Sequence, residues 1–227
     1  MPRESFDKKL LGLVDQVLVL GSMVEDSLTR SVEDLKRKDL EASRRLIADD
    51  RVINEKRFEI EADALALIAT QQPMAGDLRT IAAVLDIASE LERIGDYAKG
   101  IARINVMMGT GPLIKPLVDL PAMAARAREM LHESLEAFAH SDARMAGTIP
   151  DKDDEVDALY NQVYRELLTL IMEDSGNIDQ ANLLLWAAHN LERAADRVTN
   201  ICERVVFTVS GEMVELDAET TGPESIG

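Results

Sequence analysis

A duplicated hexapeptide constrains the fold of this chain more than any other feature. The sequence LERIGD at 91–96 recurs as LERAAD at 191–196, one hundred residues further on. A second pair of segments, DRVIN at 50–54 and DDEVD at 153–157, is separated by a similar interval of 103 residues. Because such long-period similarity duplicates a whole structural unit, we expect two halves with the same architecture.

Apolar residues recur every three or four positions through most of both halves, which is typical of amphipathic helices. Asp39 can cap the second helix, and Pro73 ends it. The pattern predicts six helices, at 6–35, 39–73, 78–101, 117–138, 153–172 and 183–209. We therefore predict an all-α fold of two tandem antiparallel three-helix bundles, with long helices like those of spectrin repeats.

Glycine and proline concentrate between the two halves, from Gly109 to Pro116. We accordingly predict a first three-helix bundle over 1–109, a linker over 110–116 and a second three-helix bundle over 117–211. The remaining residues, 212–227, carry five acids and no base. Their composition predicts a disordered acidic tail.

Charge and cysteine content exclude several classes of function. Acidic residues outnumber basic ones by 42 to 25, for a net charge of −17, so the surface repels phosphodiesters and anionic lipids and nucleic-acid binding is excluded as a first hypothesis. Cys202 is the only cysteine, so no intrachain disulfide or thiolate zinc site can form. No stretch approaches the roughly 18 apolar residues of a membrane span, and we expect a cytoplasmic protein without direct membrane insertion.

Four pairs of acidic or amide side chains with four-residue spacing lie in the duplicated segments, and each pair shares one helix face. They are Asp50 with Asn54, Glu92 with Asp96, Asp153 with Asp157, and Glu192 with Asp196. These positions continue the apolar stripes of their helices, so we expect partly shielded carboxylates that converge between helices. Converging carboxylates require a cation, and the sequence predicts metal ligands at Asp50, Glu92, Asp96, Asp153, Asp157, Glu192 and Asp196.

The donor types narrow the choice of metal. Oxygen ligands suit magnesium, manganese or iron, and His189, one turn before Glu192, would extend the choice to iron or zinc. The alternative is that Arg57, Arg93 and Arg193 neutralise the acids as buried ion pairs. Trp186, a further turn upstream, is expected to lie in the core.

The duplicated helix, the DRVIN and DDEVD segments and the sequence QQPMAGDLR at 71–79 together resemble the PhoU family. The resemblance runs from about residue 4 to residue 211. It implies a cytoplasmic, all-helical bacterial protein of two three-helix bundles, often a homodimer, that represses the phosphate-starvation response. It also implies two partners, the ATPase subunit of the phosphate ABC transporter and the phosphate sensor histidine kinase.

The resemblance bears on the candidate ligands as well. The Glu/Asp-x-x-x-Asp motifs of the family, which can hold multinuclear metal, map onto Asp50, Glu92 with Asp96, Asp153 with Asp157, and Glu192 with Asp196. Asn54 departs from the motif, since an amide removes one negative charge from the first half. The first site should therefore bind metal more weakly or hold fewer ions.

Two other functions remain open beside that of a non-enzymatic signalling adaptor. A ferritin-like di-iron carboxylate protein would need two Glu-x-x-His pairs, and only Glu129 with His132 fits that spacing, on a face predicted to be solvated. A plain helical scaffold would not need the duplicated acids. No nucleophile with an adjacent base is visible, so we expect no enzymatic activity.

Overall fold

The computed structural model of the chain describes residues 2–216. Seven α-helices account for most of them, and the described part of the chain contains no β-strand. Six of the helices are long, and α5 is a single turn. Their bounds are α1 Pro2–Arg37, α2 Leu40–Gln71, α3 Ala75–Met108, α4 Asp119–His140, α5 Ala143–Ala146, α6 Asp153–Glu173 and α7 Ile178–Ser210.

The predicted all-α fold with six long helices is confirmed, and local signals explain where the helices begin and end. Asp39 caps α2 by accepting a hydrogen bond from the Ala42 N–H at 2.8 Å. At the other end of α2, Gln72 adopts a left-handed conformation with φ of 48°, and Pro73 follows. The chain then re-enters a helix at Ala75. Because proline cannot continue a helix, the turn lies where the sequence predicted it.

The second half differs from the first in the connection between its first two long helices. Asp142 caps the short helix α5 by accepting a hydrogen bond from the Met145 N–H at 2.9 Å. A 3₁₀ turn over Pro150–Lys152 then leads into α6. In the first half, the corresponding turn between α1 and α2 contains only Lys38 and Asp39. The duplication therefore preserves the helices more closely than their connections.

The two bundles lie side by side and share one hydrophobic core. Helices α1, α2 and α3 pack together, α4, α6 and α7 pack together, and α3 lies along α7. The direction of α3 against α7 is antiparallel, since Asp86 pairs with Arg204 at 3.3 Å and Glu90 accepts from Asn200 at 3.2 Å, while Gly100 lies against Asn190. Helices α1 and α4 form the second contact between the halves.

The segments outside the helices also make contacts. Gln180 of α7 donates to the carbonyl of Pro112 at 3.0 Å and accepts from the N–H of Ile114, so the linker is held against the start of α7. At the other end, the Leu216 N–H donates to Glu203 Oε1 at 3.0 Å. The rest of the predicted disordered tail, from residue 217 onward, lies outside the described residues. Within them, no helix combines the length and apolarity that a membrane span requires.

Candidate functional site

The seven predicted acidic ligands form two separate groups, one on each side of the α3–α7 pair. The first acidic cluster consists of Asp50 on α2 with Glu92 and Asp96 on α3, together with the amide of Asn54. The second acidic cluster is carried by α6 and α7 and contains the predicted histidine. Its members are Asp157, Glu192, Asp196 and His189, and the predicted ligand Asp153 lies one turn before Asp157 on α6. The four-residue spacing places the acids of each helix on one face of that helix.

Lys99 occupies the first acidic cluster. Its ammonium nitrogen lies 2.6 Å from Asp50 Oδ2 and 3.3 Å from Asp96 Oδ1, so it joins α2 to α3. The Asn54 amide also donates to Asp50 Oδ2, at 3.0 Å. The hydrogen bond with Asp50 raises the pKa of Lys99 above its ordinary value. The ammonium is therefore firmly charged and well matched to the carboxylates around it.

The surroundings of Glu92 in the first acidic cluster oppose its ionisation. Burial raises its pKa, and the negative charges of Asp96 and Asp50 add to that effect, whereas Arg57 and Arg93 partly offset it. Two of the arginines proposed as neutralising partners thus act on this cluster at a distance. The close ion pairs in the cluster belong to Lys99.

Sequence reasoning missed Lys99, although a signal was available. It follows Asp96 by three positions and Glu92 by seven, so all three share one face of α3. At the equivalent position of the second half the chain has Thr199, which is buried. Aligning the two halves beyond the LERxxD hexapeptide would have shown that only one of them supplies a basic residue.

The second acidic cluster contains more negative charge. Burial raises the pKa of Glu192, and Asp196 and Asp157 add to the effect, against the opposing influence of His189 and Arg193. Burial and the charges of Asp196 and Asp154 likewise raise the pKa of Asp157. Carboxylates on two helices therefore repel one another at this place.

Two basic side chains approach the second acidic cluster, and one of them, Arg193, forms an ion pair with a member of it. His189 Nδ1 lies 3.1 Å from Glu192 Oε2, and Arg193 pairs with Asp196 at 3.0 Å. Glu192 Oε2 is nevertheless buried without a well-formed hydrogen bond. The ion-pair alternative thus applies to Asp196 through Arg193, while Glu192 depends on a histidine that is charged only when protonated.

The shielding of the acids is uneven. Asp50 is buried, with 7% of its surface exposed, and Glu92, Asp153, Glu192 and Asp196 are half-buried. Asp96 and Asp157 are exposed, which differs from the expected partial shielding because each lies on the outer edge of its helix.

Among residues 2–216, no three histidine, cysteine, aspartate or glutamate side chains are arranged together as metal ligands.

The Glu-x-x-His pair that a di-iron site would use lies on the surface, as predicted. Glu129 pairs with Arg126 at 2.7 Å and with Lys152 at 3.2 Å. His132, on the same helix, faces Glu25 of α1 at 3.2 Å and is exposed. Because both side chains face solvent and Glu129 is taken up by surface ion pairs, this pair does not support a di-iron centre inside the bundle.

The expectation that Trp186 lies in the core is wrong. Trp186 exposes 55% of its surface, because α7 turns this position outward at the edge of the bundle. Its ring meets the His189 ring edge-on with centroids 6.1 Å apart, and the ring of Tyr160 lies 6.3 Å from the same histidine. Cys202, in contrast, is fully buried.

The QQPMAGDLR segment contributes a structural contact between the start of the chain and α3. Arg3 donates two hydrogen bonds to the carboxylate of Asp77, at 2.7 and 3.0 Å. The bond with Arg3 holds the pKa of Asp77 below its ordinary value. This bidentate pair fixes the first turn of α1 against the first turn of α3.

The fold and the paired clusters define a class: a duplicated all-helical protein with an acidic helix pair in each half. The family model of the PhoU domain matches the chain twice, over residues 17–104 and 120–205. The chain belongs to the PhoU family. The two matches fall on the two halves that the internal repeat predicted.

Individual relatives agree with this assignment. The phosphate-specific transport system accessory protein PhoU homolog of Zymomonas mobilis is 36% identical over 211 residues, covering 93% of this chain and 89% of the relative. A homolog with the same description from Rhizobium meliloti is also 36% identical, covering 91% and 88%. Both therefore match this chain along nearly its whole length.

Solved structures share the fold. The phosphate transport system regulatory protein PhoU from Streptococcus pneumoniae superposes with a TM-score of 0.85 at 32% identity, covering 92% of this chain and 99% of that one. PhoU from Pseudomonas aeruginosa gives a TM-score of 0.84 at 31% identity, covering 91% and 100%.

Proposed function

We propose that this chain is a cytoplasmic accessory regulator of phosphate uptake that represses the phosphate-starvation response. It acts as an adaptor, binding the ATPase subunit of the phosphate ABC transporter and a phosphate sensor histidine kinase. The observation that carries the proposal is the family match over both halves, together with full-length relatives described as phosphate-specific transport system accessory proteins. An adaptor needs surfaces that partners can contact. The described helices carry exposed apolar side chains that are candidates for such contacts.

The charge of the molecule supports docking onto basic partner surfaces. The net charge is −17, and electrostatic complementarity of this kind speeds association and selects partners. The second acidic cluster adds local charge next to exposed aromatic surface. A partner segment that combines basic and apolar side chains would match both features.

An exposed apolar stripe runs beside that cluster. It consists of Tyr164, Leu168 and Met172 at four-residue spacing on α6, with Trp186 on α7, and the partly buried Tyr160 continues it toward His189. Tyr164, Leu168 and Trp186 expose between 42% and 55% of their surface, and Met172 exposes 87%. Tryptophan and tyrosine contribute disproportionately to binding energy at protein interfaces. The stripe is therefore the surface we propose for docking.

The docking proposal is tested by measuring affinity for the purified transporter ATPase and for the cytoplasmic part of the sensor kinase. Trp186→Ser should weaken binding of at least one partner by about 10-fold or more, as expected for a hot-spot aromatic. Phe58→Ser is the matched control, since Phe58 is an aromatic of similar exposure, 57%, on α2 of the other bundle. Equal losses in both variants would contradict docking through the stripe.

The regulatory proposal is tested in the host. Deleting the gene should release phosphate-starvation genes when phosphate is plentiful, and a plasmid copy should restore repression. Normal repression in the deletion strain would instead favour the plain helical scaffold. The PhoU family resemblance also implies a homodimer. Gel filtration with light scattering of the purified chain measures its mass in solution and tests that expectation.

We also propose that the second acidic cluster binds a divalent or trivalent metal ion, from among iron, zinc, magnesium and manganese. Asp153, Asp157, Glu192, Asp196 and His189 would hold it, and the buried oxygen of Glu192 supports the fit. A bound ion would supply positive charge that links α6 to α7. The side chains would have to turn toward a common point, which the exposed position of Asp157 allows.

A further inference from the structure

We infer that Lys99 is a built-in cation of the first acidic cluster, so that metal binding by this chain is confined to the second acidic cluster. The two halves, although duplicated, neutralise their acids by different means. This inference rests on the metal-binding part of the proposed function and adds to it that the two clusters are unequal.

The Lys99 ammonium contacts a carboxylate on each of the two helices of the first acidic cluster. It lies 2.6 Å from Asp50 Oδ2 on α2 and 3.3 Å from Asp96 Oδ1 on α3. A metal ion that bridged the two helices would have to contact the same two carboxylates. The ammonium therefore takes the place that such an ion would need.

The amide of Asn54 adds to this exclusion. Its Nδ2 donates to Asp50 Oδ2 at 3.0 Å and to the Asp50 carbonyl at 3.0 Å. The side chain thus directs hydrogens, rather than a lone pair, toward the carboxylate that a metal would use. Where the repeat has Asp157, the first half has a donor.

Burial makes the lysine hard to displace. Asp50 exposes 7% of its side chain and Lys99 exposes 20%. An incoming cation would have to separate a buried ion pair and leave the ammonium without its carboxylate, which is strongly unfavourable. Exchange of the lysine for a metal ion is therefore opposed by the fold itself.

The second acidic cluster lacks these obstacles. At the position equivalent to Lys99 it has Thr199, whose buried hydroxyl carries no charge. At the position equivalent to Asn54 it has Asp157, so this half contains four carboxylates where the first contains three. Arg193 pairs with Asp196 at 3.0 Å, but both residues lie on α7, so this pair does not join the two helices as Lys99 does.

The first experiment measures Mn²⁺ bound per full-length chain by elemental analysis and titration calorimetry after removal of metal by a chelator. Asp157→Asn combined with Glu192→Gln should lower Mn²⁺ affinity by more than about 100-fold, because it removes two ligands and even loss of a residue that only supports a ligand costs about 10- to 100-fold. Asp50→Asn should leave the bound Mn²⁺ unchanged. The inference is overturned if Asp50→Asn lowers the stoichiometry, or if the second-cluster variant retains half of the metal.

The second experiment converts the first half into a copy of the second. Asn54→Asp combined with Lys99→Thr should create a second Mn²⁺ site and about double the metal bound per chain. Lys56→Thr is the matched control, because Lys56 has the same 20% exposure as Lys99 but pairs with Glu59 outside the cluster. Helix content by circular dichroism accompanies each measurement, and Lys99→Gln, which removes only the charge, replaces the double variant should that one unfold.

The outcomes separate this inference from the proposed function. If the unaltered chain binds no Mn²⁺, the metal part of the proposed function fails. The conversion variant then decides the inference alone, since a gain of Mn²⁺ supports it and no gain overturns it. Repression of phosphate-starvation genes is measured in the host and is independent of both results.

Discussion

Lys99 Nζ lies 2.6 Å from Asp50 Oδ2, and this contact ties α3 to α2 at a point where the second half has a threonine. The pair is the clearest difference between two halves that otherwise repeat the same helices. It converts what looks in sequence like a duplicated acidic site into one cluster that a lysine joins across two helices and one cluster that has Thr199 at the equivalent position.

Removing the lysine should destabilise the chain. Lys99→Met leaves Asp50 buried with only the Asn54 amide near it, and we expect a loss of about 2–4 kcal/mol in the free energy of unfolding after metal removal. Urea denaturation at pH 7 measures it. Lys56→Met, at equal exposure and paired with the exposed Glu59, should cost less than about 1 kcal/mol. A similar cost for both variants would contradict a special role for Lys99.

Gly21 of α1 lies where α1 packs against α4, at a contact between the two halves. A Cβ at Gly21 would lie 2.2 Å from Leu135 Cδ1 of α4, so Gly21→Ala should lower stability by about 1–3 kcal/mol through overpacking. Nothing lies within 4 Å of the corresponding Cβ at Gly12 in the same helix, so Gly12→Ala should raise stability by about 0.5–1 kcal/mol.

A double variant checks the cause. Gly21→Ala with Leu135→Ala should be more stable than the sum of the single effects predicts, because the smaller side chain makes room for the new methyl group. Strict additivity in chemical denaturation would show that the two positions do not contact one another.

A buried amide holds the tight turn between α1 and α2. Asn105 of α3 is fully buried and donates to the carbonyl of Asp34 at 3.0 Å and to Ser43 Oγ at 2.9 Å. Asn105→Ala should therefore cost about 2–3 kcal/mol, since it leaves buried acceptors unsatisfied. Thermal unfolding by calorimetry measures the loss. Asn161→Ala, at an exposed position of α6, serves as control and should change stability by less than about 0.5 kcal/mol.

Asp34 should make the stability of the chain depend on pH. Burial and the nearby Asp39 raise the pKa of Asp34 above the ordinary value of 3.8, with Arg30, Arg45 and Arg37 in partial opposition. A raised pKa means that the folded state binds a proton more readily than the unfolded state. The cost of ionised Asp34 is thus complete above the raised pKa and disappears as the pH falls through it to 3.8.

The variant that tests this is Asp34→Asn, which should raise the free energy of unfolding at pH 7 by about 1 kcal/mol. The difference from the unaltered chain should shrink steadily on acidification. Asp15→Asn, at an exposed position of the same helix, should show no such trend. Denaturation curves from neutral to mildly acidic pH give the comparison, and a constant difference at every pH would contradict the assignment.

The sequence by itself determined the all-α fold, the six long helices and the duplication. Helical periodicity reports which face of a segment is apolar, and local signals such as Asp39 and Pro73 stop and start helices without help from distant residues. The shared helix face of each acidic pair also followed from sequence, since four-residue spacing fixes it in advance of any packing.

Only the tertiary structure decided how each group of carboxylates is neutralised. Lys99 on α3 reaches Asp50 on the neighbouring helix α2. Whether the two side chains meet depends on the distance between α2 and α3 and on side-chain rotamers, which no spacing rule contains. The exposure of Trp186 was decided in the same way. Periodicity gives the angle of a residue around its own helix, whereas burial depends on whether a neighbouring helix covers that angle, which is a property of the packed bundle.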